Sequence, residues 1–142
     1  NVSNVPIYQP GDLNRIMSNV VEKYGKKYTI NVISTDPWVI TFENFVSDKE
    51  IAALLKTVEG TWERSTDTGS TNDFGETGRV LSNGRTSSNA WCRHNCETNP
   101  QVKNIMKKIE EVTEIPRNHY ENFQVLRYDS GQRYIMHHDM SP

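Results

Sequence analysis

Little in this chain marks a disulfide scaffold, a membrane span or a nucleic-acid binder. Its 142 residues hold only two cysteines, too few for the framework of bridges that staples small secreted domains. No apolar run approaches the roughly 20 residues that a membrane helix needs. Sixteen Lys and Arg stand against 18 Asp and Glu, a net charge of -2, so no basic field draws in nucleic acid or anionic lipid. There are no internal repeats. A hydrophobic fraction of 35% and a mean hydropathy of -0.72 describe a rather polar chain. Its length suits one domain with a real core, or a piece of a larger one.

The two cysteines, Cys92 and Cys96, lie in "WCRHNC". They are close enough to bridge across a turn if their Cα atoms approach within about 7 Å, and free thiols are the alternative. A bridge would suit an oxidising compartment. His94 between them invites a zinc reading, but no second ligand pair follows at zinc-finger spacing. Asn1-Val2-Ser3 fits a glycosylation sequon.

The hydrophobic pattern predicts three helices. In "GDLNRIMSNVVEKYG", Asp12 can cap a stripe of Leu13, Ile16, Met17, Val20, Val21 and Tyr24, with Gly25 as the stop. Ser47 and Glu50 form a capping box for a second helix, with Ile51, Leu54, Leu55 and Val58 as its buried face. Asn99 and Pro100 open a third, carrying Val102, Ile105, Met106, Ile109 and Val112. "YTINVI" and "WVITFENF" read as strands around a turn. The polar span 65–89 reads as a long loop. "YENFQVLRY", "DSGQ" and "RYIMHHD" then read as a strand, a turn and a returning strand. The order predicts an α+β protein, with helices packed outside a mainly antiparallel sheet.

The returning strand carries the chemistry. Residues i and i+2 of a strand share a face, so His137 and Asp139 should point together while His138 points away. One imidazole and one carboxylate are two parts of the facial triad of two His and one carboxylate that holds ferrous iron. Ordinary surface polarity is the bland reading of so short a pattern.

Three motifs in order give that pattern its context. "FQVLRYDSGQRYIMHHD" resembles the core motif of the prolyl 4-hydroxylase family, iron(II) and 2-oxoglutarate-dependent dioxygenases that oxidise proline in peptides. "GRTSSNAW" resembles the family's Arg-Thr-Ser segment, and "PWVITFENFVSDKEIAAL" its entry strand and helix. The likeness runs roughly from Pro37 to Asp139. It implies that residues 1–142 form the N-terminal portion of a single catalytic domain. Its helices would pack on the first strands of a double-stranded β-helix (jelly-roll) core, incomplete in this chain. By the same resemblance, His137 and Asp139 are iron ligands, and Tyr128 meets the distal carboxylate of 2-oxoglutarate. Arg85, Ser87, Glu121 and Tyr134 would contact the peptide. Fe2+, 2-oxoglutarate and ascorbate are the implied cofactors, and a proline-rich peptide or protein the implied partner.

The family's third iron ligand, a histidine, and its lysine for 2-oxoglutarate have no match before Pro142. The expectation is that a missing C-terminal segment supplies both. Two other readings stand beside a peptidyl-proline 4-hydroxylase: a related dioxygenase with a different substrate, and a catalytically inactive peptide-binding module of the same fold. The secretory pathway, or endoplasmic reticulum lumen, is the expected location, with the cytoplasm as the alternative.

Overall fold

The structure, a computed structural model, describes residues 9–74 and 76–138. These residues cluster into two compact units. The first runs to Leu54 and takes in Thr98–Glu121; the second comprises Leu55–Glu97 and the residues from Asn122 onward.

In the first unit, helix α1 (Asp12–Tyr24) buries Ile16, Val20 and Tyr24, three members of the predicted stripe. Asp12 is not the cap. Gly11 takes that position in the left-handed region, φ 91°, which glycine adopts without strain. Asp12 instead reaches back and accepts from the Gln9 N–H at 2.9 Å, a bond that holds its carboxyl below the usual range. Strands β1 (Thr29–Thr35) and β2 (Trp38–Glu43) form an antiparallel hairpin, running from Thr29 opposite Glu43 to Thr35 opposite Trp38. Tyr28, Ile30, Ile40, Phe42 and Phe45 pack against Ile16, Val20, Tyr24 and Val112. An apolar cavity of about 460 Å³ lies beside this core, lined by Leu13, Met17, Ile40, Phe42 and Ile115 among others.

Helix α4 (Pro100–Thr113) starts as its sequence predicts. The Asn99 side chain accepts from the N–H groups of Gln101 and Val102, at 2.9 and 3.5 Å. Its inner face buries Val102, Ile105, Met106 and Val112. Each such aliphatic side chain contributes roughly 1.5–3 kcal/mol of burial.

Helix α2 (Asp48–Thr57) keeps the capping box, with the Ser47 N–H donating to Glu50 at 2.8 Å. Of the predicted face, Val58 is buried and Leu54 half-buried, whereas Ile51 and Leu55 are 42% and 47% exposed. Glu50 also faces inward, only 2% exposed. Burial alone would push the Glu50 carboxyl up. Hydrogen bonds from Lys108 (2.7 Å), Ser47 and Asn104 outweigh burial and hold it at about 2. The buried carboxylate is stable because each oxygen has a donor.

The second unit is built mostly of short strands. Strands β3 (Glu63–Arg64), β6 (Ser88–Trp91) and β7 (Gln124–Arg127) form one antiparallel sheet with β6 in the middle. Strands β4 (Asp67–Thr71) and β5 (Thr77–Val80) form a separate hairpin within the span read as loop. That hairpin lacks an apolar face, so its sequence gives no alternation to read. At its tip the Asn72 side chain accepts from the Phe74 and Glu76 N–H groups and leaves Phe74 88% exposed. Cys92 and Cys96 are bridged, their Cα atoms 5.1 Å apart, where α3 (Asn95–Thr98) begins.

Among the described residues, the predicted hairpin of β7 with the returning strand does not form. The "DSGQ" turn is there, closed by the Gln132 N–H on the Asp129 carbonyl at 2.9 Å. Beyond it, however, the chain makes an antiparallel bridge from Tyr134 to Arg85. Mixed helices and antiparallel strands agree with the α+β expectation. The sheets, of two, three and two strands, form no closed barrel among the described residues. No helix of the described residues is long and apolar enough to cross a membrane.

Candidate functional site

The second unit gathers three of the predicted site residues in one corner. The turn before β6 is organised by Ser82, whose Oγ accepts from the Gly84 and Arg85 N–H groups and donates to Asp67. Arg64 grips the same turn, donating to the carbonyls of Ser82, Arg85 and Ser87. Residues 84–86 then pair with residues 133–135. The Thr86 N–H donates to the Arg133 carbonyl at 2.8 Å, the Ile135 N–H to the Gly84 carbonyl at 2.9 Å, and the Arg133 N–H to Thr86 Oγ1 at 2.7 Å. A Cβ at Gly84 would lie 2.9 Å from Ile135 Cδ1, so a larger residue there would have to turn the exposed Ile135 side chain.

This pairing places Arg85 over Tyr134, guanidinium carbon to ring centroid 4.6 Å. Tyr134 in turn stacks on His137, with centroids 3.7 Å apart and planes 18° from parallel. A regular strand would send residues 134 and 137 to opposite faces. They meet because the chain bends at Met136, which is 99% exposed. The strand geometry predicted for His137 is therefore corrected. His138 is exposed, and Asp139 lies outside the described residues.

The His137 Nδ1 is 2.8 Å from the Ile135 carbonyl oxygen. A carbonyl only accepts, so Nδ1 carries the proton. In the neutral imidazole the lone pair then sits on Nε2, the arrangement that metal-binding histidines use. That part of the donor set fits a metal. Among the described residues, no group of three or more His, Cys, Asp or Glu gathers to hold one.

The remaining predicted residues are placed differently. Tyr128 directly follows β7 and is exposed. Ser87 is fully buried, and its hydroxyl donates to Ser65 at 3.0 Å. Glu121 is exposed and belongs to the first unit. Trp62 and Trp91 are half-buried, each with a guanidinium over its ring, from Arg127 and Arg93 respectively. Arg64 and Thr86, which help hold the corner together, carry no local signal because their partners lie along distant chain, whereas the Ser82 turn onto Gly84 and Arg85 is local.

Two atoms of this corner are buried with no hydrogen-bond partner among the described residues, Asp67 Oδ1 and Arg85 Nε. Arg85 Nη1 donates to the Thr66 carbonyl at 3.1 Å. The guanidinium is thus tethered from one side and stacked on the other.

No family model matches the chain. Probable prolyl 4-hydroxylase 3 of Arabidopsis thaliana is 33% identical over 117 residues, covering 82% of this chain and 38% of its own length. Probable prolyl 4-hydroxylase 10 of the same plant is 28% identical, covering 96% of this chain and 47% of itself. By sequence, the chain is a relative of the prolyl 4-hydroxylases. Prolyl 4-hydroxylase 5 of the same plant adds 31% identity over 78% of this chain and 36% of its own length. The chain therefore spans less than half the length of these prolyl 4-hydroxylases.

Proposed function

We propose that the full protein hydroxylates peptidyl proline at the 4-position as an iron(II) and 2-oxoglutarate-dependent dioxygenase. Residues 1–142 would be the N-terminal portion of one catalytic domain with a jelly-roll core. The observation that carries this reading is the meeting of Arg85, Tyr134 and His137, in a chain whose relatives are named prolyl 4-hydroxylases.

His137 through Nε2 and Asp139 would hold the iron, and the remaining donor would come from chain outside this sequence. When bound, iron would activate dioxygen, the oxidant, with 2-oxoglutarate as co-reductant: one oxygen atom would go to proline and the other to succinate as carbon dioxide is released, and ascorbate would keep the metal reduced. The protein's own residues bind and orient. Tyr128, exposed after β7, would donate to the distal carboxylate of 2-oxoglutarate. Arg85 and Tyr134 would present a cationic and aromatic wall to the peptide, with Glu121 as a further contact. Ser87 would enter only by exchanging its Ser65 partner for the peptide. A proline-rich segment in the polyproline II form loses little entropy on docking against such a wall. The Cys92–Cys96 bridge supports a location in the secretory pathway.

The test is mass spectrometry of proline-rich peptides incubated with full-length protein, ferrous iron, 2-oxoglutarate and ascorbate. The expected result is gain of one oxygen on proline. Succinate without peptide oxidation would point to another substrate. Neither product would leave a peptide-binding module.

A further inference from the structure

We propose that Arg85 and Tyr134 are positioning residues for His137, holding its imidazole in one orientation before any metal arrives. The inference rests on the reading of His137 as an iron ligand.

An exposed histidine ordinarily turns about two side-chain bonds, and a ligand that must be stilled on binding costs affinity. Among the described residues, two contacts of different direction restrain the ring. The hydrogen bond from Nδ1 to the Ile135 carbonyl acts in the ring plane. The Tyr134 ring acts on its face, at 3.7 Å between centroids. Together they define both torsions and the tautomer.

Tyr134 is itself held. The Arg85 guanidinium lies over its ring, and the backbone bridge between the two residues keeps their Cα atoms in register. Arg85 is anchored in turn by the Thr66 carbonyl on its Nη1 and by Arg64 on its own carbonyl. A chain of planar groups thus runs from the turn before β6 to the imidazole. A guanidinium suits this place because it is flat and stacks on aromatic faces, which an ammonium does not. Groups that orient a metal-bound histidine typically change metal affinity by about 10-fold to 100-fold when removed.

The test measures Co(II) affinity of the full-length protein without peptide, alongside the NMR signals of the His137 ring in metal-free protein. Arg85→Lys and Tyr134→Leu should each weaken Co(II) binding about 10-fold. Tyr134→Leu should also remove the ring-current shift of the His137 protons, while Tyr134→Phe, which keeps the stack, should preserve both. Wild-type affinity in Arg85→Lys and Tyr134→Leu, with His137→Ala abolishing binding, would overturn the positioning role alone. Unchanged affinity in His137→Ala would overturn the ligand reading beneath it. Loss of the ring-current shift in Tyr134→Phe would show that the hydroxyl, not the stack, holds the ring, and would also overturn the proposal.

Discussion

The two units are held together by different means. The first packs α1, the β1–β2 hairpin and α4 around aliphatic and aromatic side chains, and inserts one fully bonded carboxylate, Glu50. The second buries few large apolar groups. Val58, Ala90 and the two bridged cysteines are its buried hydrophobic residues, and much of its cohesion comes from strand pairing, Arg64, Ser82 and the disulfide. Apolar burial is non-directional, whereas hydrogen bonds and bridges fix orientation. The unit that holds the stack of Arg85, Tyr134 and His137 is the one built from directional contacts.

That contrast can be broken most sharply at Glu50. Glu50→Ala strands the Lys108 ammonium and should cost about 3 kcal/mol, read as a fall in the urea midpoint. The same carboxylate makes a pH prediction. Its folded value of about 2 lies below the ordinary 4.5, so its contribution is complete above about 4.5 and is lost as pH falls toward 2. Stability measured across that window should slope for the wild type and flatten in Glu50→Gln. The matching perturbation of the second unit is smaller. Cys92→Ser with Cys96→Ser opens a ring of sequence separation 4 and should cost about 2 kcal/mol. If this exceeded the loss at Glu50, the bridge would be the dominant tie and the comparison would need inverting.

Asn99→Ala removes the α4 cap and should cost ~1 kcal/mol by thermal or urea denaturation. Smallest of all, Lys27→Ala breaks an exposed pair with Glu111 and should leave the midpoint unchanged within error.

What was legible in the sequence was local. The Ser47–Glu50 box, the Asn99 cap and the β1–β2 hairpin are all encoded within a few residues of where they act. Asp12 was misplaced by one position because glycine and aspartate both suit a cap, and Gly11 takes the left-handed conformation. Glu50 was readable as a cap but not as a buried ion, since Lys108 and Asn104 are more than fifty positions away. The β4–β5 hairpin escaped notice because its faces carry Ser, Thr and Gly.

The candidate site divides the same way. Its residue types were legible from motif and order, but its geometry was not. Regular strand alternation would send Tyr134 and His137 to opposite faces, and the bend at Met136 brings them together. The pairing of residue 134 with 85 rather than with β7 joins distant chain, which no local pattern encodes.

The link between Thr86 and Arg133 joins positions 47 apart in the chain. Closing a loop of that length sacrifices chain entropy before any contact rewards it, so such pairings form late during folding. The corner that holds His137 should accordingly assemble late, as should the comparably long-range contact of Glu50 with Lys108. It should also be the first to open: the amides of Thr86 and Ile135 would take up deuterium ahead of those in α4, long before the protein as a whole lets go.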